Sequence, residues 1–507
     1  MRAALHRVES DCLKPIYDNL ISKEETLELV VPDVSADIGK ILDVRGQFLL
    51  ASQKAKTDEI HIGGTVEVSV IYTAEDSGRV QYLMTSIPFD MAVPVTGADD
   101  NSKLVSRWEL CCMEARMLNP RKLLLKACVS GHIVVYAPDK FALWDNLSEG
   151  EKAPVYILKK EAAHTLVVGV REKSFVVSDE YKLPADRDQN SKMISASTEV
   201  CMEDAKSVGN KIVIKAVAKT AAVFLCETDG SLFDCMFTTQ FSQIIEVDSF
   251  GDNIMSAVNI QLRDAEFTVG SGRDTGPVYT ASLHMNAQAV CRDNRVSTYI
   301  ADAYSNEFKI NMETADIKLM KNMPQNPLML SAKCRMKPIE NLAEIMYLCV
   351  SELCTEAEGN EIRVTVKLGG VGRCENGELE PLDMKLTADE KIELMRNQRL
   401  AIVSVCCDKP MMSGTAQNAD ISVGIELMYC VIEHSDICAV DSIEVCEDCP
   451  IRACDRPSLI VLCSDKESDL WCLAKKYGST VDMIERANSF GDGFTAGCRP
   501  LLIPRAR

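Results

Sequence analysis

Residues 59–89, EIHIGGTVEVSVIYTAEDSGRVQYLMTSIPF, read as a β-hairpin that the chain repeats. Thr65-Val66-Glu67-Val68-Ser69-Val70-Ile71 alternates with period two, as a strand with one buried face does. Ser77-Gly78 then supplies turn chemistry before the second apolar run. Residues 211–241, KIVIKAVAKTAAVFLCETDGSLFDCMFTTQF, follow the same plan without a gap. Ile60 matches Ile212, Ile62 matches Ile214, Gly78 matches Gly230 and Phe89 matches Phe241, each pair 152 residues apart (212 − 60, 214 − 62, 230 − 78, 241 − 89).

A third, weaker copy begins at Asn360, with Ile362 and Val364 in the isoleucine places and Asn376-Gly377 at the turn. A further strand cluster follows each hairpin, at residues 122–136, 278–291 and 421–432. Helical periodicity is scarce upstream of the C-terminus, and only 152–160 and 338–352 are ambiguous. Internal similarity of this kind marks a repeat architecture. The expected fold is mainly β: three similar β-rich modules at 20–145, 175–300 and 328–435, the third degenerate. Residues 436–457, acidic, cysteine-rich and holding Pro450 and Pro457, read as a linker.

The last fifty residues, 458–507, change character. Leu470, Leu473, Ala474 and Tyr477 fall at helical spacing, with Gly478 placed to end that helix. Ser479-Thr480 precedes a second helix over 481–488. Apolar strands at 459–462 and 500–504 flank the pair, giving the order β-α-α-β.

Composition bounds the function. The 507 residues are 47% hydrophobic and 26% charged, ordinary globular material, with a net charge of -20. That charge argues against nucleic acid or an anionic lipid surface as partner. The start, MRAALHRVESDCLKPIYDNL, has no apolar core of a signal peptide, and no uncharged apolar run of transmembrane length occurs. A cytoplasmic location is expected. The 22 cysteines are then expected as free thiols serving as small hydrophobes. Cys446 and Cys449 have zinc-ligand spacing, but Cys438 and Cys454 form no second C-x-x-C pair, and no metal or cofactor is expected. The six histidines are scattered, and no nucleophile elbow or phosphate loop occurs, so no enzyme is expected.

The C-terminal segment resembles a LysM domain, on Leu470-Trp471, Leu473-Ala474, Tyr477-Gly478, Ala487-Asn488 and the closing Leu501, Ile503 and Pro504. Where that family carries Gly-Asp-Thr before Leu-Trp, this chain has Glu467, Ser468 and Asp469, which removes a backbone free to approach a sugar. The upstream modules resemble SPOCS domains, on residues 31–37 (VPDVSAD), Ile38, Ile41 and Ile87-Pro88-Phe89. SPOCS-like repeats followed by one LysM domain are the architecture of the SipL-like spore-coat morphogenetic family of the Firmicutes. The resemblance implies a sporulation scaffold in the mother-cell cytoplasm, at the forespore surface. It also implies binding of a SpoIVA-like coat-basement ATPase through the LysM domain, alongside other coat proteins. Peptidoglycan or another N-acetylglucosamine polymer is the alternative partner. The residues expected at the partner surface are Leu470, Trp471, Lys475, Asp465 and Asn488. Trp471 reads first as core packing, with a binding anchor as the alternative, and Lys475 first as a solvated face, with a contact to an acidic partner as the alternative.

Overall fold

The computed structural model describes residues 2–149, 154–247, 254–272, 276–451, 457–462, 469–488 and 500–505. The protein is mainly β, and two short helices occur among the described residues. One succession of strands occurs three times. The first comprises β1 (Leu5–Val30), β2 (Ile38–Lys56), β3 (Glu59–Ala74), β4 (Val80–Pro94), β5 (Lys103–Asn119) and β6 (Lys122–Leu147). The second comprises β7 (Tyr156–Lys182), β8 (Ser191–Val208), β9 (Lys211–Cys226), β10 (Leu232–Glu246), β11 (Ile254–Gly272) and β12 (Gly276–Tyr304). The third comprises β13 (Phe308–Arg335), β14 (Leu342–Glu358), β15 (Glu361–Cys374), β16 (Leu379–Lys391), β17 (Gln398–Cys407), the added β18 (Met411–Thr415) and β19 (Asn418–Pro450).

In each series three middle strands form an antiparallel meander: β2-β3-β4, β8-β9-β10 and β14-β15-β16. The two long strands pair into an arm, β1 with β6, β7 with β12 and β13 with β19, and β5, β11 or β17 edges it. A single bridge, Leu13 to Val167, joins the first two arms into one six-stranded sheet.

The alternation read in the sequence sets the burial. Val66, Val68 and Val70 are buried on β3, Ile212 and Ile214 on β9, and Ile362, Val364 and Val366 on β15. Each set anchors its own core. The three turn glycines take left-handed backbone, with φ 65° at Gly78, 73° at Gly230 and 85° at Gly377, a conformation that a Cβ penalises. A fourth core lies where the meanders meet. There Leu42 and Ile194, Ile71 and Val223, and Val80 and Leu232 stand together with Tyr347, Cys349 and Val371. Each of those first three pairs is again 152 residues apart (194 − 42, 223 − 71, 232 − 80).

Two expectations differ, and two segments that the sequence left ambiguous are resolved. Residues 436–450 are not a linker: they continue β19 and pair with β13, from Asp436 opposite Lys318 to Pro450 opposite Phe308. Their acidic residues stand on a strand whose other face buries Val440, Ile443 and Val445. The ambiguous segments are strands, the first entering β7 at Tyr156 and the second β14 at Leu342. Finally, not all thiols are free, because Cys201 of β8 and Cys406 of β17 form a disulfide between the second and third series.

Candidate functional site

The C-terminal unit runs β20 (Leu459–Leu462), α1 (Leu470–Tyr477), α2 (Val481–Asn488), β21 (Leu501–Pro504), with β20 and β21 antiparallel. Its helices are short and depend on caps. The Asp469 carboxylate accepts the Trp471 N–H at 3.0 Å, and Gly478, at φ 70°, returns its N–H to the Ala474 carbonyl. Thr480 Oγ1 accepts the Met483 N–H at 3.1 Å and so starts α2. Asn488 ties that helix to β21, donating to the Leu502 carbonyl at 2.6 Å and accepting the Leu502 N–H at 2.8 Å.

This unit sits on the far end of the second arm. Tyr304, the last residue of β12, joins the core of Trp471, Leu473, Ala474, Ile484 and Ile503. Its ring meets Trp471 edge-on at 4.8 Å, and Tyr156 stacks on it at 5.1 Å. The Tyr304 hydroxyl and the Asn306 amide both donate to the Ser479 carbonyl, at 3.0 and 2.9 Å. Burial pushes the Tyr304 hydroxyl up to about 12. Asp302 completes the seat: Oδ2 accepts the Trp471 indole N–H at 2.9 Å and Oδ1 accepts Lys475 Nζ at 2.5 Å. Burial raises the Asp302 carboxyl, but the Lys475 ammonium and the indole N–H outweigh it and hold the group below its ordinary range.

The expected partner residues therefore have assigned contacts. Trp471 is buried at 8% exposure, Lys475 is paired to Asp302, Leu470 packs on the unit's core and Asn488 is an internal tie. Asp465 lies outside the described residues. The seat residues Asp302, Tyr304 and Asn306 carried no signal in the sequence, because one acid and one tyrosine at the end of a strand fit no motif. Of the cysteines weighed for zinc, Cys454 lies outside the described residues. Cys438 and Cys446 are both on β19, opposite Asp316 and Lys309. The strand between them separates their side chains by roughly 25 Å, too far to share an ion.

The junction of the meanders is a second polar centre. Arg45, 3% exposed, donates from Nη2 to the Val350 carbonyl at 3.3 Å and to Ser197 Oγ at 3.5 Å. Its Nη1 lies 3.9 Å from Asp43, which also accepts the Tyr347 hydroxyl at 2.8 Å. One arginine thus touches all three series. A cavity of about 250 Å³ alongside is lined by Arg107, Glu199, Lys219, Glu352 and Asp408 among others. Its charges are largely answered, Lys219 by Asp408 at 2.9 Å and Glu352 by Lys367 at 3.1 Å.

Residues 37–118 match the family model described as SipL, SPOCS domain. The matched stretch holds the first meander and nearly all of β5. It supports a SipL-like, sporulation-associated protein of the spore-coat context. No curated protein and no solved structure matches the chain. Among the described residues no helix is long and apolar enough to cross a membrane.

Proposed function

We propose that the chain is a non-enzymatic scaffold of spore-coat assembly, made of three SPOCS-like modules and a LysM-like C-terminal unit. In this reading the unit binds a coat-basement ATPase of the SpoIVA kind and helps hold coat at the forespore surface from the mother-cell side. The observation that carries the reading is the family match on β2 to β5, together with the return of that pairing order in the second and third series. The β-α-α-β order of the C-terminal unit supports the LysM likeness.

Binding through Leu470, Trp471 and Lys475 requires the unit to leave Asp302, so partner and seat compete for the same side chains. The arms supply a long platform for other coat proteins, and linked weak contacts add through effective concentration. Co-purification of the ATPase with the full chain, and with a chain ending at residue 457, tests the proposal. Capture is expected to fall at least tenfold on truncation, and unchanged capture would refute the C-terminal role. Sedimentation of the full chain with purified peptidoglycan, lost on the same truncation, would favour the glycan-binding alternative.

A further inference from the structure

The seams between the strand series repeat one small constellation. On β5, Glu109 and Cys111 face Cys354 and Thr355 of β14, joining the first series to the third. The Glu109 carboxylate accepts the Thr355 N–H at 3.0 Å and its hydroxyl at 2.8 Å, and Cys111 Sγ lies 3.5 Å from Cys354 Sγ. On β8, Glu199 and Cys201 face Cys406 and Cys407 of β17, joining the second series to the third. The Glu199 carboxylate accepts the Cys407 N–H at 3.1 Å, and Cys201 is bonded to Cys406. The pattern is the same in both places. A glutamate two residues before one cysteine receives the N–H of the residue just after the other cysteine, which ties the two strands together where their sheets meet. The ligand atoms of each Glu-Cys-Cys set fall within 4.8 Å of one another.

We propose that Cys111 and Cys354 are an oxidisable dithiol that closes to a second disulfide, joining the first and third series covalently as Cys201 and Cys406 join the second and third. Both thiols are half-buried rather than sealed, so a small oxidant can approach. Cys111 donates its thiol hydrogen to Cys354, and that contact lowers the Cys354 thiol, marking it as the attacking sulfur. The same hydrogen bond, with burial, raises Cys111. A low-molecular-weight disulfide, RSSR, is the co-reactant. The Cys354 thiolate attacks one of its sulfurs and releases RS⁻, leaving a mixed disulfide. The Cys111 thiol then gives its proton to that RS⁻ and attacks the Cys354 sulfur, expelling a second RS⁻, which takes a proton from solvent. The protein loses two electrons as RSSR is reduced to two thiols.

The test uses the full chain, reduced, desalted and incubated with oxidised glutathione, then alkylated and digested under non-reducing conditions. The expected product is a cross-linked peptide pair holding Cys111 and Cys354, two hydrogens lighter than the dithiol and released by dithiothreitol. The linkage spans 243 residues, so closing it should raise the thermal midpoint by roughly 5 °C. Cys354→Ser should lose the linked pair and that increment, keeping only the rise that reclosure of Cys201–Cys406 gives. The mapping on the unsubstituted chain stands even if that variant folds poorly. Alkylation of both Cys111 and Cys354 after that incubation would overturn the proposal. So would linkage of Cys111 to Cys112 or Cys128. Stoichiometric zinc retained by the reduced chain and lost in Cys354→Ser would also overturn it, assigning the triad to a metal instead.

Discussion

Trp471 donates its indole N–H to Asp302 at 2.9 Å, across 169 residues of chain. The same carboxylate holds Lys475, so one acid on β12 restrains two of the side chains expected to meet a partner. Asp302→Ala removes both acceptors and leaves the indole N–H unpaired in a mostly apolar contact. A charge-assisted hydrogen bond of this kind contributes about 1.5–3 kcal/mol. The expected outcome is faster hydrogen exchange across α1, with protection of the meander cores unchanged. Because the seat competes with the partner in the proposed function, capture of the ATPase should rise about tenfold in Asp302→Ala and fall in Trp471→Ala. A fall in both would mean that the seated unit, not the freed one, is the binding form.

The seat should respond to acid. The Asp302 carboxyl lies below its ordinary value in the folded chain, so the unfolded state binds the proton more readily. Its contribution is complete above the ordinary carboxylate value of 3.8 and disappears as pH falls through the folded value. Exchange of the α1 amides, measured from pH 6 downward and corrected for intrinsic rates, should stay flat to about pH 4 and then climb. Asp302→Asn should abolish that climb, and a climb that survives the substitution would locate the acid response elsewhere.

Arg45 and Asp43 form a buried pair at the meeting point of the three meanders, held at 3.9 Å with Tyr347 as the acid's second partner. Burial raises the Asp43 carboxyl against the opposing pull of Arg45 and Tyr347. Removing the arginine alone strands that acid among Leu42, Ile71 and Cys349. Arg45→Met should therefore cost about 3–5 kcal/mol in denaturant unfolding, whereas Arg45→Met combined with Asp43→Asn should recover most of the loss. Equal losses in the single and double variants would mean that Arg45 acts through its contacts to Ser197 and Val350 instead.

The meanders were legible because two signals coincide in them. Isoleucine and valine recur at period two, and a glycine stands where the turn needs positive φ, as at Gly78 and Gly230. The long arms were less so. In β1 the alternation is carried by half-buried residues such as Leu27 and Leu29 among Glu24, Glu25 and Glu28, because part of one face covers another element while the rest meets solvent. The segment before Pro450 misled for a related reason. Cys446, Glu447 and Asp448 suit a loop by composition, yet Ile443 and Val445 are enough to hold the strand to β13. The helices and caps of the C-terminal unit were readable locally, whereas its seat depends on Asp302 and Tyr304, which the fold alone brings near. The seam triads have the same character, with partners 205 and 243 residues apart.

Glu199 gives the seam triad on β8 a pH signature of opposite sign to the seat's. Burial pushes its carboxyl up to about 7, with the Cys407 N–H and Lys219 pulling the other way. A raised acid keeps its proton in the folded chain after the unfolded chain has lost it, so stability declines as pH rises from the ordinary 4.5 toward 7. A tenfold difference in proton affinity between the folded and unfolded chain corresponds to about 1.4 kcal/mol, so the decline should reach about 3 kcal/mol by pH 8. Glu199→Gln keeps a carbonyl oxygen for the Cys407 N–H and cannot ionise. Its thermal midpoint should match the parent below pH 5 and exceed it by several degrees at pH 8. If Gln lowers the midpoint at both pH values, Glu199 is ionised in the folded chain and its attraction to Lys219 outweighs burial.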